Sequence, residues 1–122
     1  MMSDFFIPEQ VQVFEISGPL FFGATYKFKE AMKVFEKRPE VLILRMGKVP
    51  MIDATGLQMI RELSGEFHSR RAKIILSEVN SPQIIEELRK TRLLFYIGKA
   101  NVTSSFEMAI KRSQIILNEN RS

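Results

Sequence analysis

The sequence has no cysteine and only one histidine. Without cysteine there is no disulfide, no thiol nucleophile and no thiolate zinc site. A lone histidine cannot build a His-rich metal site. Long apolar runs are also missing. The longest stretches, such as Val41-Leu42-Ile43-Leu44, fall far short of the roughly 20 residues of a membrane helix. Met1 to Asp4 lacks the basic-then-apolar order of a signal peptide, so the chain reads as a soluble unit, either free or cut from a membrane protein. Charge of one sign is not concentrated anywhere. Eighteen Lys plus Arg against 14 Asp plus Glu give a net charge of +4, spread along the chain. That suits contact with an anionic surface but forms no nucleic-acid-binding patch. No Ser/His/Asp triad, Walker loop or dinucleotide fingerprint is present. The expectation is a non-enzyme with no cofactor, no metal and no nucleic-acid partner.

What is present fits one domain over residues 1–122. The chain is 45% hydrophobic and 26% charged, as in ordinary soluble domains. Strand and helix patterns alternate. Val11 to Ile16 alternates apolar and polar residues and reads as a strand, with a short one before it at Phe5 to Ile7. After Gly18-Pro19, the residues Phe28, Ala31, Met32 and Phe35 form one apolar stripe and predict a helix over Phe22 to Lys37. Val41 to Met46, interrupted only by Arg45, and Lys73 to Ser77 read as strands buried on both faces. Gly56 to Arg70 is a second helix, with Leu57, Ile60, Leu63 and Phe67 inward. Ser81-Pro82 is a strong helix start, and that helix runs to Arg89 or Lys90. A very short strand is expected near Ala100 to Val102. Ser104-Ser105-Phe106-Glu107 has capping-box spacing and opens a last helix with Phe106, Ala109, Ile110, Ser113 and Leu117 on one face. This is an α/β domain, with a mostly parallel sheet of four to five strands and about four helices.

In parallel sheets, ligands meet the loops beyond the carboxyl ends of strands. Two such loops stand out: Ser17 to Gly23, containing Phe21, Phe22 and Gly23, and Val49 to Leu57. The second, within Arg45-Met-Gly-Lys-Val-Pro-Met-Ile-Asp-Ala-Thr-Gly-Leu57, resembles the signature of the STAS domains of SulP-type anion transporters. That wider family includes the bacterial anti-sigma factor antagonists. Their corresponding stretch is Asp-Ser-Ser-Gly, with the second serine phosphorylated by a kinase. Matched by position, Asp53, Thr55 and Gly56 take the places of Asp, phosphorylated Ser and Gly, and Ala54 replaces the first Ser. That departure favours the transporter branch. The first loop and Phe106 to Ala109 resemble further family segments.

The resemblance implies a regulatory module forming the C-terminal cytoplasmic domain of a larger transporter, at the cytoplasmic face of the inner membrane. Its partner would be the membrane domain of the same transporter, with a cytoplasmic regulatory protein as a further partner. The alternative is a free-standing antagonist switched by phosphorylation.

Thr55 can be read without the family. A helix start leaves backbone N–H groups unpaired and carries partial positive charge, so a phosphate on Thr55 or on a ligand is stabilised there. Thr55 and Gln58 also fit a capping box, and Asp53 is a second candidate cap. Lys48, Gly56 and the Phe21-Phe22 pair extend this candidate surface, which is expected to bind a nucleotide weakly. His68 reads as a surface histidine and Glu62 with Glu66 as a solvated face. Arg70-Arg71-Lys73 and Arg89-Lys90-Arg92 lie where cations suit the ends of helices.

Overall fold

The computed structural model describes residues 7–19 and 39–121. The helix expected over Phe22 to Lys37, and with it Phe21, Phe22 and Gly23, lies outside the described residues, as do Phe5 and Phe6.

Three parallel strands form the described sheet in the order β1 (Val11–Ser17), β2 (Val41–Lys48), β3 (Lys73–Ser77). Val13 pairs with Ile43, and Ile43 with Ile75. The central strand is the most apolar because both its faces are covered: Val41, Leu42, Ile43 and Leu44 are all fully buried. Successive side chains alternate between faces, which splits the core in two. Leu42, Leu44, Met46, Ile74 and Leu76 pack with α1 (Ala54–Ser69) and α2 (Pro82–Lys90). Val41, Ile43 and Ile75 pack on the other face against Phe106, Ala109, Ile110 and Leu117. These belong to the last helix, Phe106–Asn120. Between α2 and that helix lies a short one, α3 (Leu93–Ile97), so the last is α4.

The strand expected at Ala100 to Val102 is corrected to a 3-10 turn, Lys99–Asn101, and a single parallel bridge from Val102 to Leu76. The reason is local. Gly98 has φ of 102° and turns the chain, and the Asn101 amide donates back to the Ile97 carbonyl at 2.9 Å. A side chain bonding to nearby backbone in this way favours a turn over a ladder.

Arg45, the charge inside the apolar run of β2, is also explained. Its guanidinium lies 4.0 Å from the centre of the Phe106 ring. It donates twice to the Glu78 carboxylate, at 2.9 and 2.8 Å. The pair ties the middle strand to the loop after β3 and to the start of α4. These hydrogen bonds, opposed by burial and assisted by the Ser77 hydroxyl, hold the Glu78 carboxyl below its ordinary pKa.

Candidate functional site at the carboxyl end of the sheet

β1 and β2 end side by side. Ser17 pairs with Lys48, and the Gly18 amide donates to the Lys48 carbonyl at 2.9 Å. The described start of the first loop therefore lies at the same end as the loop into α1, as the parallel topology requires. Gly18 has φ of 84°, a left-handed conformation that glycine adopts without strain.

The second loop is held from three directions. Its base is a tight turn, with the Val49 amide donating to the Met46 carbonyl at 3.0 Å. The Ser81 hydroxyl donates to the Pro50 carbonyl at 2.9 Å. The Gln83 side chain accepts from the Ile52 amide at 3.0 Å and donates to the Ile52 carbonyl at 2.8 Å. Val49 and Ile52 are anchored in the core, whereas Met51 between them is 43% exposed. Loop backbone is thus satisfied by the start of α2, and one apolar side chain is left facing outward.

Asp53 ends this clasped segment and caps α1. Its backbone is extended (φ −108°, ψ −177°), and its side-chain oxygen accepts the Gly56 amide at 2.9 Å. The capping box on Thr55 and Gln58 is therefore corrected: Asp53 is the N-cap, and α1 begins at Ala54. Asp is among the best capping residues, and its extended backbone meets the geometric requirement. Thr55 lies in the first turn, exposed, with its hydroxyl outside the cap. Gly56, at the third helical position, is buried. Lys48 is exposed and pairs with Glu15 at 3.3 Å, so part of its charge is already offset. A similar correction applies to α4, which is capped by Ser105 accepting from the Met108 amide, not by Ser104.

The structure brings Lys48, Asp53, Thr55 and Gly56 to one end of the sheet. Sequence reasoning missed Gln83 and Ser81 as the residues that shape it. Their signal was only the Ser-Pro helix start. His68, Glu62 and Glu66 are exposed, and no group of three or more metal-ligating side chains occurs among the described residues. Nor, among these residues, is any helix long and apolar enough to cross a membrane.

With this geometry established, comparison with known proteins places the chain. Residues 6–109 match the STAS domain. The chain belongs to the STAS domain family. A putative sulfate transporter of Bacillus subtilis (strain 168) is 31% identical over 73% of the chain, but the match spans only 17% of that protein. A solved sulfate transporter family protein from Wolinella succinogenes is 30% identical with a TM-score of 0.86, covering 97% of this chain and 96% of that one. The solved STAS domain of a SulP transporter from Vibrio cholerae is 31% identical with a TM-score of 0.77, covering 93% and 88%. The STAS domain is thus homologous to those of SulP transporters.

Proposed function

We propose that this STAS domain is a non-catalytic regulatory module that docks on the cytoplasmic side of an anion transporter's membrane domain through the sheet end bearing Asp53, Thr55 and Gly56. The observation that carries the reading is the likeness to the Vibrio cholerae SulP transporter STAS domain, at 31% identity over 88% of that chain. The short share of the Bacillus subtilis transporter that it matches fits a domain of a longer protein. The geometry adds a means of recognition. The loop is rigidly clasped yet presents Met51 and Thr55, and Ile85 in the first turns of α2 is 45% exposed. A fixed backbone with outward apolar and hydroxyl groups suits a protein contact with little ordering cost.

Thr55 is the proposed control point. Its exposure favours the second reading as well, a free-standing antagonist whose partner is a kinase. The parent reading frame separates the two. Apolar stretches of about 20 residues upstream support the transporter; a complete gene of this length beside a kinase gene supports the antagonist.

Weak nucleotide binding is the finer part of the proposal. The Gly56 amide is already taken by Asp53, so a phosphate there would rely on the amides of Ala54 and Thr55 and on the helix dipole. Amide chemical shifts of Asp53 to Leu57 during nucleotide titration test it, and unmoved shifts at millimolar nucleotide reject it.

A further inference from the structure

We propose that the groove between the C-terminal half of α1 and α3 is a binding site for a small molecule joining an anionic head to a flat apolar ring. It is separate from the surface around Thr55. Along α1 its wall runs from Arg61 to His68, about 9 to 20 Å beyond Thr55 at the helical rise.

The groove has a volume of about 580 Å³, within the roughly 300–1,000 Å³ of small-molecule sites. Its charge is one-sided. Arg61, Lys73 and Arg92 line it, and among the described residues no carboxylate does. Arg61 is oriented by a 2.7 Å hydrogen bond to the Thr91 carbonyl. Its aromatic content is unusually open: Phe95 is 74% exposed and Tyr96 49%. Each ring already has a cation near it, Arg92 at 5.7 Å from the Phe95 centre and Arg61 at 5.5 Å from that of Tyr96. A planar ring can stack on Phe95 or Tyr96 while its acid group meets these guanidinium groups.

A further observation points the same way. Ser64, on the wall of the groove, is 9% exposed, and its hydroxyl has no hydrogen-bond partner. An unpaired buried polar group is costly, and a ligand oxygen accepting from this hydroxyl would supply the missing partner. The seat is firm. Tyr96 lies so close to α1 that a methyl group on Gly65 would come within 3.2 Å of its hydroxyl.

The test is a titration of the isotopically labelled chain with 1-naphthyl phosphate, followed by amide NMR, with inorganic phosphate and 2-naphthol as separate arms. The expected result is saturable shifts at Ser64, His68 and Arg92 to Ile97. The joined molecule should bind at least about tenfold more tightly than either part, or about 1.4 kcal/mol. Arg92→Asn keeps a residue that tolerates the left-handed backbone there, φ 63°, and Phe95→Ser alters a side chain that is mostly in water. Each should weaken binding about three- to tenfold while the remaining amide spectrum stays in place. The proposal is overturned if phosphate or naphthol alone binds as tightly as the joined molecule. It is equally overturned if the shifts are diffuse, non-saturating, centred on Asp53 to Leu57, or indifferent to both substitutions.

Discussion

Gln83 grips the backbone of Ile52 from 31 residues away, its side-chain amide accepting from the Ile52 N–H at 3.0 Å and donating to the Ile52 carbonyl at 2.8 Å. The clasp sets the direction in which the chain enters α1, and so where Asp53 and Thr55 stand. Gln83→Ala leaves both backbone groups without their partner beside a buried side chain. The expected loss is about 1–3 kcal/mol in denaturant unfolding. Gln83→Glu keeps the acceptor for the N–H but places a carboxylate against the carbonyl. It should therefore remain destabilised relative to Gln83, which a simple packing role would not produce.

Asp53 and Thr55 separate capping from recognition. Because Asp53 makes the cap, Asp53→Ala should cost about 1 kcal/mol. Thr55→Ala, at an exposed first-turn position, should stay within about 0.5 kcal/mol of the parent. Thr55→Glu adds a negative charge near the positive helix end and should be neutral or slightly stabilising. Melting curves of the three variants check this order, and a larger loss at Thr55 than at Asp53 would reverse the cap assignment.

Most of the architecture was legible in the residues. Lys73–Ser77 and Pro82–Lys90 fall where a β-branched run and a Ser-Pro start predict them. The short α3 was not, because five residues show no helical period and it opens at Arg92 in a left-handed conformation without a side-chain cap. The choice between Asp53 and Thr55 as cap was equally hidden. Both side chains carry an oxygen, and the decision falls to burial of Ile52 and to Gln83, a partner far along the chain. Local pattern reports local preference, and contacts of this separation are set by the folded core.

Arg45 and Glu78 make stability depend on pH. Glu78 has a folded pKa lowered chiefly by the Arg45 hydrogen bonds. Its contribution is therefore fully present above the ordinary carboxylate pKa of an unfolded chain, about 4.3, and is lost as pH falls through the lower folded value. The pair is partly solvent-exposed, so the size is modest, about 1 kcal/mol. Glu78→Gln should melt below the parent at neutral pH, with the gap closing under acid conditions. A constant gap would show that the charge contributes nothing.

The most direct test of the central claim is anion transport by the full-length parent carrying Thr55→Glu, Thr55→Ala or Thr55→Ser, measured beside the melting temperature of each domain. Serine keeps the hydroxyl. Glutamate mimics, imperfectly, the roughly −1.5 to −2 charge of a phosphate. The account predicts that Thr55→Glu changes transport while the domain melts as the parent does, and that Thr55→Ser leaves both alone. If all three variants alter transport only in proportion to lost stability, or leave it untouched, Thr55 has no regulatory role and the central claim fails.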